Sequence, residues 1–187
     1  MGLSFMKTKL PALLGVMLWV AGGVNAATLE VDMGQSRVRV DAKATGHGFS
    51  GILGKYTMKA TGDGGTLDPA TLDLRWNFAD LKTNDTKRDA EMIKWLGGGN
   101  PLGSFKLVKS WTDAQGVTQA QGTLTIHGVS KTVVFPYTAK KSGNTLTLDG
   151  KVSIDYQNFN LPIIRAMLVM TVDPQLVIGF HVVGKVK

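Results

Sequence analysis

Leu72-Asp73-Leu74-Arg75-Trp76-Asn77-Phe78 alternates apolar and polar side chains without a break. A longer segment repeats the pattern, with Leu146, Leu148, Val152, Ile154 and Tyr156 set against Thr147, Asp149, Lys151, Ser153 and Asp155. Successive side chains of a strand point to opposite faces, so each segment has one dry face and one wet face. Val38, Val40, Ala42 and Ala44 stand against Arg37, Arg39, Asp41 and Lys43 in the same way. The period of two recurs less cleanly over residues 29–33, 51–61, 105–111, 121–126, 132–138 and 176–186. That predicts eight or nine strands. Residues 62–65, 113–116, 127–128 and 142–144 are turn signals, whose glycine and asparagine supply the positive φ of tight hairpins. Short links imply antiparallel neighbours, and no strand–helix–strand alternation favours a parallel sheet.

One segment breaks the rhythm. Residues 86–96 are rich in helix formers, and Ala90, Met92, Ile93 and Leu96 have approximate helical spacing. Asp85 or Thr86 can cap the first turn, and Gly97-Gly98-Gly99 stops the helix. The spacing predicts one short helix followed by a mobile loop over residues 97–103. No repeat or linker divides the chain.

The N-terminal 26 residues read as a secretory signal peptide. Lys7 and Lys9 precede an apolar stretch over residues 10–20, and Val24-Asn25-Ala26 has the small-x-small cleavage pattern. Eleven apolar residues fall short of the roughly 20 that a spanning helix needs. Cleavage after Ala26 removes 26 of the 187 residues and leaves 161, residues 27–187, as one domain with a sizeable core. It also removes two lysines and no acid, lowering the net charge from +7 to +5. The remaining cations are scattered and do not interleave with aromatics, which argues against a nucleic-acid partner. A weak attraction to an anionic membrane surface fits the charge. With no cysteine, the fold has no disulfides and no site for a lipoprotein anchor.

Many antiparallel strands, each with one apolar face, bury those faces most economically by closing into a barrel, which also removes exposed edges. The fold class expected is all-β, an extended antiparallel eight-stranded barrel with one short helix. About eight strands leave room for the barrel's own side chains or one slender ligand. Strands of about ten residues, at ~3.3 Å each, make a tube near 30 Å long before tilt. An outer-membrane barrel would put its apolar face outward. Here Asp73, Arg75, Asp149, Lys151 and Asp155 are spread along the wet face, where lipid would penalise each charge. The apolar face therefore points inward. By that parity the tunnel wall comprises Val38, Val40, Leu72, Leu74, Trp76 and Phe78 from the first half. Leu124, Ile126, Leu146, Leu148, Val152 and Ile154 follow, with Ile178, Phe180 and Val182 near the C-terminus. Each buried methylene contributes about 0.8 kcal/mol, so a long hydrocarbon chain is the ligand expected, held tightly.

Specific residues then resemble a known family. Gly122-Thr123-Leu124-Thr125-Ile126-His127-Gly128-Val129-Ser130-Lys131 is similar to the G-x-L-T-I-H-G-x-(S/T)-K hallmark of YceI-like proteins. Thr83 with Arg88-Asp89 resembles the family's T-x-N-x-x-R-D stretch. Val31-Asp32 with Ser36-x-Val38 resembles its first hairpin, and Asn158-Phe159-Asn160-Leu161 its late turn. The resemblance spans nearly the whole of residues 27–187. It implies a lipocalin-like barrel exported to the bacterial periplasm, which binds isoprenoid chains or similar amphiphiles and serves isoprenoid handling or envelope stress. The ligand expected is a polyisoprenoid, quinone or fatty-acid-like chain, with no further cofactor.

Candidate chemistry is sparse. His127 precedes a turn glycine and shares the wet-face parity of Thr123 and Thr125, which reads as a hairpin residue. His47, His127 and His181 have no metal-ligand spacing, and no metal site is expected. Gly48-Phe49-Ser50-Gly51 resembles a nucleophile elbow, but Ile52 stands where that motif needs glycine. Gly97-x-Gly99 fails as a dinucleotide loop at Leu102, and the run 98–105 fails as a P-loop at Ser104-Phe105. Arg88 and Asp89 read as a helix-opening ion pair. The sharper reading has Arg88 facing an anionic head group at the mouth. No catalytic group is expected. The rival readings are an accessory protein docked on a membrane cytochrome and a haem-binding barrel.

Overall fold

The computed structural model describes residues 26–62, 69–166 and 170–187; the leader expected over residues 1–26 lies almost wholly outside them. Thirteen strand segments are described: β1 (Ala27–Val31), β2 (Arg37–Ala44), β3 (His47–Leu53), β4 (Thr57–Gly62), β5 (Thr71–Asn77), β6 (Leu81–Lys82), β7 (Leu102–Thr112), β8 (Thr118–Ile126), β9 (Val129–Ser142), β10 (Thr145–Asp155), β11 (Arg165–Ala166), β12 (Met170–Thr171) and β13 (Gln175–Val186). All pairings are antiparallel, and the ring β1-β4-β5-β7-β8-β9-β10-β13 closes through β1 on β13. The described residues form an eight-stranded barrel with one α-helix, α1 (Thr86–Trp95).

Eight staves come from eleven segments because three staves are broken. β1 and β2 lie on the same side of β13, at its two ends. The break between them is a turn pinned by Asp32 Oδ1, which accepts from the Gly34 amide at 2.9 Å. Residues expected as one strand, 51–61, are two, β3 and β4. At their break the Gly54 amide turns away to the Asp80 carbonyl at 2.9 Å. β5 and β6 are separated by a 3-10 turn, Phe78–Asp80, which Asn77 caps. Phe78, expected in a strand, opens that turn.

The two ends of the barrel differ. At one end sit the close of β4, the start of β5, the turns β7–β8 and β9–β10 and the start of β1, whose Thr28 exchanges two backbone bonds with Lys187. The ladder is continuous there. At the other end neighbours part. β10 pairs with β9 only up to Gly150, and residues 151–155 pair with β13 alone. β6 pairs with β3 and leaves β7. A 3-10 turn, Tyr156–Phe159, packs against β9 in the first gap, and α1 links β6 to β7 across the second. Leu102 and Gly103 already belong to β7, so the loop after α1 is shorter than the residues 97–103 expected.

The core follows this division. One cluster, with Leu53, Phe78, Leu96, Ile126, Tyr156 and Phe159, occupies the open end, and a second, with Ala120, Phe135, Tyr137, Leu148 and Val182, the closed end.

Candidate functional site

The inward faces do not meet. Between them lies a cavity of about 1100 Å³ that opens at the parted end. Its walls offer water almost no polar partner. Its wall includes Val38 and Val40 of β2, Leu72, Leu74 and Trp76 of β5, Phe78, and Leu124 and Ile126 of β8. Leu148, Val152 and Ile154 of β10 and Ile178, Phe180 and Val182 of β13 complete the positions expected from parity. Leu146 is the exception. It packs with Leu29 and Val31 on the second cluster at the closed end and does not line the void. Parity gives the face a residue occupies, not its depth. From Leu148 to Ile154 the lined part of β10 spans about 20 Å of strand before tilt.

The wall also holds residues beyond those positions. Phe105 and Leu107 of β7 and Val133, Phe135 and Tyr137 of β9 follow the same alternation, which marks them in the sequence. Met92, Trp95 and Leu96 bring one side of α1 over the opening, and Leu161, Ile163 and Ile164 come from the segment after the second 3-10 turn. Side-chain bonds hold these two covers together. Trp95 Nε1 donates to the Pro162 carbonyl at 2.9 Å, and the Trp95 ring meets Tyr156 edge-on at 5.1 Å. The Tyr156 hydroxyl donates to Val172 O at 2.9 Å and accepts from the Ile164 amide at 3.2 Å.

Among the described residues that line the cavity, the acidic and basic ones, His47, Asp85, Lys87, Arg88, Glu91, Lys94 and Arg165, gather at this opening. Lys94 and Glu91 pair at 2.6 Å. Asp85 caps α1, accepting from the Lys87 and Arg88 amides at 3.0 and 3.1 Å. The Arg88 amide in particular holds its carboxyl below the usual carboxylate range. Arg88 does not pair with Asp89 as expected. Its Nε donates to Thr83 Oγ1 at 2.9 Å, a terminal nitrogen donates to Thr83 O at 3.0 Å, and its guanidinium lies 4.4 Å over the Phe49 ring. Asp89 instead accepts from the Thr83 amide and hydroxyl, at 3.0 and 2.6 Å. Among the described residues no carboxylate lies within ion-pair distance of Arg88. Thr83, only 9% exposed, thus fixes the cation at the rim. Outside, Asp73–Arg75, Arg39–Asp41 and Asp149–His181 pair along the wet faces.

His127 sits at the β8–β9 turn with φ 52°, exposed, beside Gly97. Among the described residues no three His, Cys, Asp or Glu side chains are grouped as metal ligands. Nor, among them, is any helix long and apolar enough to cross a membrane.

A family model described as the YceI-like domain matches residues 29–184. No curated protein matches the chain. Two solved structures share the fold. Burkholderia cenocepacia BcnA is 21% identical, with a TM-score of 0.67 over 82% of this chain and 99% of its own. A polyisoprenoid binding domain from Saccharophagus degradans, implicated in plant cell wall breakdown, is 10% identical, with a TM-score of 0.64 over 87% and 99%.

Proposed function

The chain belongs to the YceI-like domain family, and we propose that its barrel binds a long isoprenoid or similar apolar chain, as a carrier or store and not as an enzyme. The observation that carries this reading is an apolar void of about 1100 Å³ whose charged lining residues, among those described, stand at the opening. An amphiphile has the same division. Its chain replaces water against Val40, Leu74, Ile126, Val152, Ile178 and their neighbours, at about 0.8 kcal/mol per buried methylene, while its polar end stays at the rim. The Saccharophagus domain of the same fold is named for polyisoprenoid binding, which supports that ligand class. Arg88, held by Thr83 with no acid paired to it, takes an anionic head group, and Lys87 and Arg165 stand on the same rim. No cofactor is required. The protein acts in the periplasm after cleavage behind Ala26, loading from a membrane surface.

Delipidated protein titrated with a long-chain polyprenol and with the phosphate ester of the same chain tests the reading. One equivalent of either is taken up and survives gel filtration; uptake of neither contradicts it. Arg88→Glu weakens the phosphate by roughly tenfold or more, the effect of a lost charge-assisted bond, and the alcohol little. Equal losses for the two would leave Arg88 a structural role alone.

A further inference from the structure

We infer that aromatic rings folded flat onto strand glycines set the length of chain the cavity accepts; this rests on the lipid-binding reading above. Five consecutive staves carry an alternating row: Phe105 on β7, Gly122 on β8, Phe135 on β9, Gly150 on β10 and Phe180 on β13. Gly150 and Phe180 are direct cross-strand partners. A Cβ built on Gly150 would stand 2.4 Å from Phe180 Cζ, and one on Gly122 2.2 Å from Phe105. Each ring therefore lies across a neighbouring strand at a height that only a hydrogen leaves free. Phe135 joins the two rings, with centroids 5.7 Å from Phe105 and 5.8 Å from Phe180. Nearer the opening the device recurs. Gly103 faces Trp76 across β5 and β7, and its Cβ would stand 2.3 Å from that ring.

Glycine inside a strand weakens it and marks a close approach. Here the approach is by a ring that would otherwise stand in the lumen. Phe105 and Phe180 touch both core clusters, so the row is the waist between the two halves of the cavity. Below it the wall continues as Met58, Leu107, Ala120, Tyr137, Leu148 and Val182. A ring lifted off its glycine has the sheet behind it and can move only inward. It then cuts the lower chamber from the upper one.

The experiment equilibrates delipidated protein with a mixture of polyprenols of graded length and identifies the retained chains by mass spectrometry. Gly150→Ala shifts the longest retained chain downward, losing roughly tenfold in affinity for every two methylenes excluded. Chains short enough to end above the waist stay within about twofold of the wild type. Gly103→Ala, at the opening, weakens short and long chains alike. Gly179→Ala, where a Cβ meets nothing closer than 3.9 Å, leaves the profile unchanged. The double variant Gly150→Ala with Phe180→Leu restores long chains, which separates a blocked lumen from a damaged fold. An unaltered length profile in Gly150→Ala, or a loss equal at all lengths that Phe180→Leu does not rescue, overturns the inference and leaves the lipid reading standing. Wild-type protein that retains no polyprenol of any length overturns both.

Discussion

The closed and open ends of this barrel are built by different physics. At the closed end the ladder runs without interruption from β13 to β1 and β4, and Thr28 and Lys187 exchange backbone bonds. At the open end the same staves separate, and side chains take over from the ladder. Thr83 ties Arg88 and Asp89, Trp95 reaches Pro162, and the Tyr156 hydroxyl joins Val172 to Ile164. A backbone ladder is cooperative and slow to open, whereas covers held by a few side-chain bonds open locally at lower free energy. On the lipid-binding reading proposed above, the difference gives stability to one end and exchange of ligand to the other.

Replacing Tyr156 should separate the two ends most strongly. It is 1% exposed and serves both the core and the cover. Tyr156→Ala is expected to cost about 3–5 kcal/mol and lower the thermal midpoint by about 10 °C, read by circular dichroism, with faster loss of lipid. Asp85→Ala removes the α1 cap and lowers the midpoint by only about 3 °C. Acid acts on the same group. Its carboxyl is held below the usual range in the folded protein, so the stabilisation is present above the unfolded pKa near 4 and is lost as pH falls through the lower folded value. Lipid release measured from pH 6 to 3 should stay flat and then accelerate below about 4, more in the wild type than in Asp85→Ala. Trp95→Phe deletes one hydrogen bond at the cover, worth about 1 kcal/mol. Release then quickens roughly fivefold while the midpoint falls by no more than about 3 °C. Glu30→Gln breaks the exposed pair with Lys187 at the closed end, and neither quantity should change measurably. Lipid release that responds to Glu30 as much as to Trp95 would erase the distinction between the ends.

Alternation in residues 72–78 and 146–156 was enough to read a closed barrel with an inward apolar face, because the period of two is local chemistry. What it could not give was depth. Leu146 and Leu148 share a face, yet one packs at the closed end and the other lines the void. Nor does local sequence say what a glycine is for. Gly150 acquires its meaning from Phe180, thirty residues away and adjacent only through register. The helix over residues 86–96 was legible from spacing and caps, but the side it turns to the cavity depends on where β6 and β7 part. Arg88 was readable as a cation near the opening. Its tether to buried Thr83 was not, since an arginine beside an aspartate looks like an ion pair until both are seen to bond Thr83 instead.

Whether the void holds a long chain is read by native mass spectrometry of the purified protein, residues 27–187, before and after solvent extraction. The expected spectrum shows a mass excess equal to one lipid, removed by the solvent and recovered as a species that fragments in isoprene steps. Protein at its bare polypeptide mass that also takes up no added polyprenyl chain would contradict the account.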